Sequence, residues 1–213
     1  MKTQVWDRVV RLSHWSLVVL VVGCWLSAEL GAMEWHQTCA YLLLAVLVTR
    51  LSWGLFGSET ARLRPLFRPP GAVVQYVRQW RSQRQPELGH NPAGGYMVLL
   101  MFALLSLQLI TGLFASDDIL TEGPLYGAIS AEAAASLTSL HHLNFTWIKV
   151  AIGCHLLAII LYRCKGIRLV PAMLTGYHQG VEGQVLLRQA WPALLLLGGM
   201  LAAVLWGLIL PLW

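Results

Sequence analysis

The chain has 213 residues, of which 57% are hydrophobic and only 12% are charged. Soluble domains usually carry about 25% charged residues. A mean hydropathy of +0.61 leaves too little polar surface to cover a water-soluble globule of this size. These values exclude collagen-like, disordered and disulfide-stapled secreted chains, and they predict a polytopic membrane protein. A nucleic-acid partner is not expected, although the isoelectric point is about 9.3.

Five apolar segments each have the length of about 20 residues that a helix needs to cross a bilayer. They cover residues 12–29, 35–56, 94–115, 143–162 and 191–213. Tryptophans lie near the ends of these segments, as in an aromatic belt, and Pro192 suits the first turn of the last helix. The sequence therefore predicts an all-α helical bundle in the membrane. The first segment also has features of a signal peptide, because Arg8 and Arg11 precede an apolar stretch and small residues near Ala28.

The basic residues predict the orientation of the chain. Fourteen of the 15 lysines and arginines belong to one side: thirteen precede the first span or lie between spans two and three or four and five, and Arg50 lies near the inner end of span two. The loops around residues 29–36 and 116–140 carry only acidic charges. Because lysine and arginine stay on the cytoplasmic side, we expect a cytoplasmic N-terminus and a periplasmic C-terminus. Anionic lipid is a sufficient partner for the basic face.

The four cysteines are Cys24, Cys39, Cys154 and Cys164, and they form neither a CxxC pair nor a CxxCH motif. This excludes covalent attachment of a c-type haem and a zinc ribbon. We expect buried free thiols.

Four histidines within the spans or at their ends are the strongest candidates for a functional site, because ionisable residues are costly inside a membrane. His141 and His155 are 14 residues apart on span four. On an α-helix they share a face to within about 40° and lie about 21 Å apart along the axis, whereas His142 is about 140° from His155. Span one brings His14 to the inner level and span two brings His36 to the outer level. The expected pairs are His14 with His155 and His36 with His141.

Two neutral imidazoles that face each other between helices make a good axial pair for haem iron. Zinc would need a third or fourth ligand, and none lies in register. The alternative is interhelical polar contact without a cofactor. Arg50 follows His36 by 14 residues, so it is a candidate partner for a haem propionate. An arginine that simply flanks a span would occupy the same position.

Several motifs occur together in the sequence. They are VWDRVVRLSHW at residues 5–15, WHQTC at 35–39 with TRL at 49–51, GHNPAGG at 89–95, and the His141/His155 pair. In this combination the chain, to about residue 170, resembles the bacterial cytochrome b561 and nickel–iron hydrogenase b-type cytochrome family.

The resemblance implies a four-helix core that binds two haem b groups non-covalently. By motif position, His14 and His155 would ligate one haem iron and His36 and His141 the other, and the family also has an arginine where Arg50 stands. We expect a haem-binding domain over residues 1–170, a cytoplasmic connector over 171–190 and an additional membrane helix over 191–213.

The resemblance also implies a function in the bacterial cytoplasmic membrane. Such a protein passes electrons between the quinone pool and a redox partner, for example a periplasmic cytochrome c or the catalytic subunit of an oxidoreductase. A quinone is thus a further candidate cofactor, and no catalytic residue is assigned. Two alternatives stay open, namely a non-redox transporter or assembly scaffold and a catalytic cytochrome that acts directly on a small redox substrate.

Other residues carry weaker expectations. His90 lies in the turn before span three and is a candidate for quinone or proton chemistry, while Lys149 is the single charge within span four. We expect His178 at the surface. Residues 128–140 are predicted to form a short surface helix in an acidic loop. There Asp117, Asp118 and Glu122 would steer a positively charged electron carrier.

Overall fold

The computed structural model describes residues 2–80, 87–117, 121–180 and 183–213, so Arg81, Arg84 and Asp118 lie outside the described residues. The α-helices are α1 (Arg8–Glu29), α2 (Met33–Phe56), α3 (Pro70–Arg78), α4 (Pro92–Gly112), α5 (Ala131–Cys164), α6 (Leu169–Thr175) and α7 (Trp191–Val204). The strands are β1 (Lys2–Gln4) and β2 (Tyr177–Gln179). Short 3-10 turns cover Glu59–Ala61, Arg64–Leu66, Tyr126–Ala128 and Leu210–Leu212, and a π-helical turn covers Leu205–Ile209.

Five helices are long and apolar enough to cross a membrane, which confirms the predicted all-α bundle. Side-chain caps start three of them. Asp7 accepts a hydrogen bond from the Val10 amide at 2.7 Å, and Asn91 accepts one from the Gly94 amide at 2.8 Å. Ser130 caps α5 in the same way. Each cap satisfies an amide that the first helical turn leaves without an acceptor.

Helix α5 corrects the prediction of a separate surface helix at residues 128–140. It runs without a break from Ala131 to Cys164, which is 34 residues. Residues 131–152 include neither glycine nor proline, so nothing in this stretch interrupts the helical hydrogen bonds. The outer loop is correspondingly shorter, and the two histidines of α5 stand on one continuous helix.

The core lies between α2, α4 and α5. Its buried side chains are Leu43, Leu47, Leu105, Leu109 and Ile148. Helix α1 packs along α2, and α7 packs on α2 through a second cluster that contains Tyr41, Ala45, Val204 and Ile209. The fifth membrane helix therefore lies against α2 at the edge of the bundle.

A two-stranded antiparallel ribbon joins the N-terminus to the segment after α6. Thr3 pairs with His178, and the Val5 amide donates to the Gly176 carbonyl at 2.8 Å. Gly176 has φ +89, and a Cβ there would lie 2.8 Å from the Trp6 carbonyl oxygen, so the turn requires glycine. Because side chains alternate along a strand, the ribbon turns His178 inward, where it is only 7% exposed. The expectation that His178 is a surface residue is therefore wrong.

The cysteines are only partly buried. All four are free thiols, but Cys24 and Cys39 are half-buried and Cys154 and Cys164 are exposed on α5. The expectation of buried thiols is therefore wrong for Cys154 and Cys164.

Candidate functional site

The inner pair consists of His14 on α1 and His155 on α5. The centroids of the two rings are 6.5 Å apart. His14 follows Arg11 by three residues, whereas His155 precedes Arg163 by eight, so chain length alone suggests that the two histidines lie at different depths in the membrane. The structure nevertheless places their rings side by side. Helix α1 begins at Arg8, before the apolar segment starts, so the histidine lies well inside the helix.

The outer pair consists of His36 on α2 and His141 on α5, with ring centroids 6.4 Å apart. His141 also lies near His142, but the His142 side chain is exposed, and no contact across the bundle is seen for it among the described residues. The structure therefore brings together the two pairs that the helical geometry predicts, at two levels of one helix.

Hydrogen bonds fix both rings of the outer pair. Nδ1 of His36 lies 2.8 Å from the Cys24 carbonyl oxygen, and Nδ1 of His141 lies 3.0 Å from the Gln108 carbonyl oxygen and 3.1 Å from Thr111 Oγ1. A carbonyl can only accept, so Nδ1 carries the proton in each ring. Each neutral ring is left with an Nε2 lone pair, which is the form that ligates a metal.

The spacing of the rings tests whether a metal fits between them. A metal–imidazole bond is about 2 Å long and a ring nitrogen lies about 1.1 Å from its centroid, so two rings on one metal have centroids about 6.2 Å apart. Rings joined by a direct N–H···N hydrogen bond would be about 5 Å apart. The observed 6.5 and 6.4 Å match the first arrangement. In the described part of the chain, no group of three or more His, Cys, Asp or Glu residues is placed to hold a metal ion.

Arg50 is a buried cation near the inner pair, with only 4% of its surface exposed. It donates to the Ala61 carbonyl at 3.2 Å, stacks over the Phe102 ring at 5.3 Å, and lies within electrostatic range of His14. Among the described residues no carboxylate lies within ion-pair distance of it, although the buried Asp7 carboxylate is close enough to interact with its charge. A buried guanidinium without an ion-pair partner is costly, so the site also suits an anionic group such as a propionate.

Gly112, the last residue of α4, makes room for the outer pair. A Cβ at this position would lie 3.0 Å from Cε1 of His141. The absence of a side chain lets the His141 ring lie directly against the helix end.

His90 lies against Trp6, with ring centroids 4.7 Å apart, and its Nδ1 is buried without a partner among the described residues. Burial first, and then the nearby positive charges of Arg50 and His155, lowers the pKa of His90 to about 4. His90 is therefore neutral at physiological pH. Lys149 is exposed and stacks on Phe145 at 5.1 Å, so it points away from both histidine pairs.

Sequence reasoning missed the groups that orient the rings. Cys24 and Gln108 act through backbone carbonyls, which leave no trace in the side-chain pattern. Thr111 and Asn144 are polar residues within apolar spans, and Asn144 donates to Gln108 Oε1 at 2.7 Å across the α4–α5 interface. Polar residues within a span are the signal that would have found them.

The two histidine pairs lie at two levels of one membrane helical bundle. This arrangement is typical of membrane b-type cytochromes. Comparison with protein families agrees, because residues 5–176 match the family described as prokaryotic cytochrome b561. The chain belongs to the prokaryotic cytochrome b561 family. It is thus a multi-pass membrane protein of an electron-transfer family that binds haem b. No curated protein and no solved structure matches it in the corresponding comparisons.

Proposed function

We propose that the chain binds two haem b groups and relays electrons across the membrane from one haem to the other. One group would be held by His14 and His155, and the other by His36 and His141. The observation that carries this proposal is the spacing of the two ring pairs, 6.5 and 6.4 Å, which leaves room for one metal atom in each. Bound haem supplies one-electron chemistry, with iron alternating between its ferrous and ferric forms.

The chain's own residues would orient the ligands before the cofactor binds. The carbonyls of Cys24 and Gln108 hold the outer imidazoles in the tautomer with a free Nε2 lone pair. At the inner level, Arg50 would clamp a propionate, whose negative charge would pair with the buried guanidinium. Apolar core side chains, among them Leu43, Leu47 and Ile148, fill the bundle between the two levels.

A relay is favoured over catalysis at iron. If each iron were held by two imidazoles, a small substrate would find no free coordination site on it. We therefore infer that the substrate is an electron donor or acceptor at the surface of the protein.

The partners would be the quinone pool on one side and a redox protein on the other. The confinement of basic residues to one set of loops supports a cytoplasmic N-terminus and a periplasmic C-terminus. Asp117 and the exposed Glu122 lie in the opposite, acidic loop, which would steer a basic carrier such as a cytochrome c. Helix α7 lies beyond the residues that match the family, in agreement with a haem-binding domain at 1–170, a connector at 171–190 and an added helix at 191–213.

Transmembrane electron transfer in liposomes tests the proposal. A quinol is supplied outside vesicles that contain the purified protein and trapped ferricyanide. We expect reduction of the trapped ferricyanide by the wild type, and a rate at least tenfold lower for His36→Ala. His142→Ala is the matched control, because it removes the adjacent exposed histidine of the same helix, and it should keep the wild-type rate. A wild-type protein with both haems that leaves the ferricyanide oxidised would refute the relay.

A further inference from the structure

A second site lies away from the histidine pairs, at the face of the bundle where α5 ends. A cavity of about 680 Å³ opens between the β1–β2 ribbon and the connection from α5 to α6. Its charged or titratable lining residues are Lys2, Lys165, Arg168 and His178, and the described residues of its lining include no carboxylate. Neutral donors add to this set, since Thr175, Tyr177 and Gln179 also line the cavity.

We propose that this cavity binds a phosphate group, either as the headgroup of an anionic phospholipid or as a free phosphate. The proposal does not depend on the haem ligands. Three cations around one concave wall make a local excess of positive charge that favours the binding of an anion. Arg168 can pair with two phosphate oxygens at once, and the lysines supply compact charges.

The cations come from separate parts of the chain, so folding itself builds the site. Lys2 lies on β1, opposite Gln179 of β2, and Arg168 directly precedes the first residue of α6. Lys165 follows the last residue of α5, where its Nζ donates to the Trp80 carbonyl and lies 4.0 Å from the centroid of the Trp80 ring. These contacts hold the ammonium group on the side of the smaller neighbouring cavity, which Trp80 also lines, so Lys165 adds positive charge near the large cavity.

His178 adds a buried polar atom that lacks a partner. The ring separates the large cavity from a smaller one of about 40 Å³. Its Nδ1 donates to the Gln179 carbonyl at 2.8 Å, while Nε2 is buried with no hydrogen-bond partner among the described residues. Because Nδ1 carries the ring proton, Nε2 is an acceptor, and a ligand group that reaches it must donate a hydrogen bond, as a headgroup hydroxyl can.

The position of the cavity suits a headgroup. It lies at the end of a membrane-spanning helix, close to the start of α1, which is the level where phosphates of a bilayer are found. Basic residues at this level attract anionic lipids.

Native mass spectrometry of the purified protein tests the proposal by counting retained lipids. The protein is incubated with phosphatidylglycerol or with zwitterionic phosphatidylcholine, and we expect preferential retention of the anionic lipid. The double variant Lys2→Gln/Arg168→Gln should lower its occupancy at least fivefold. The matched control is Arg64→Gln/Arg78→Gln, which removes two exposed charges outside the cavity and should keep the wild-type occupancy.

Inorganic phosphate distinguishes the two sources. Displacement of the lipid by millimolar phosphate, weaker for the cavity variant, would support a site for free phosphate. Lipid that resists phosphate but is lost in the cavity variant would support a headgroup site. Equal retention of the two lipids by the wild type, or equal occupancy in the cavity and control variants, would overturn the proposal.

Discussion

Replacing Gly112 by alanine tests how closely the bundle is built around the outer pair. The added Cβ would lie 3.0 Å from Cε1 of His141, which is several tenths of an ångström inside ordinary carbon–carbon contact. Alanine favours a helix over glycine by about 1 kcal/mol, so the helix itself would not suffer. The His141 ring must therefore move by about 0.5 Å, while a metal–nitrogen bond tolerates a change of only about 0.2 Å.

Overpacking of this kind costs about 1–3 kcal/mol, which weakens binding at the outer pair by a factor of about 5 to 150. We expect purified Gly112→Ala to hold about one haem per chain and to keep the redox wave of the inner haem. Gly153→Ala is the control, because this residue lies on α5 between the two histidines and a Cβ there meets no atom within 4 Å. The assay is haem content with a redox titration. Full occupancy of both sites in Gly112→Ala would refute the close fit at His141.

Three other substitutions probe separate contacts. Arg50→Gln removes a buried positive charge that favours the reduced state, so the midpoint potential of the inner haem should fall by about 50–100 mV in a redox titration, and Arg50→Lys should restore most of it. The pKa of His90 is lowered to about 4 in the folded protein, so unfolding takes up a proton between about pH 6.5 and 4. The free energy of unfolding should therefore decrease by up to about 3 kcal/mol as the pH falls through this range. Thermal unfolding of His90→Asn should show a flatter pH dependence, and an unchanged slope would exclude His90 as its source. Asp7→Ala removes the α1 cap and the acceptor for Trp53 Nε1 at 2.8 Å. The free energy of unfolding in detergent should therefore be lower by about 2–4 kcal/mol, and Asp7→Asn should lower it less.

The histidine pairs were predictable because helix geometry converts a 14-residue spacing into one face and two depths. Span order then decides which helix brings a partner to each depth. His14 and His36 therefore followed from their positions at opposite ends of successive spans. The structure places each of them within 6.5 Å of its expected partner, measured between ring centroids.

The remaining features depend on backbone contacts between distant segments, which no local pattern records. The burial of His178 requires the pairing of Thr3 with a strand 175 residues later. The orientation of the His36 ring depends on the carbonyl of Cys24, on the preceding helix. The apolar segment that predicted this span begins only at residue 143. Helix α5 begins twelve residues earlier, at Ala131, where the Ser130 side chain caps its first turn.

The most direct test of the account is the number of haem b groups in the purified protein. A pyridine haemochrome assay per mole of chain, with a reduced-minus-oxidised spectrum, measures it. Two haems per chain is the predicted result, one for each pair of rings, with a single haem remaining in both His14→Ala and His36→Ala. One haem in the wild type would contradict the assignment of both pairs. No haem in a folded preparation from haem-replete cells would contradict the haem-binding role of the histidines altogether.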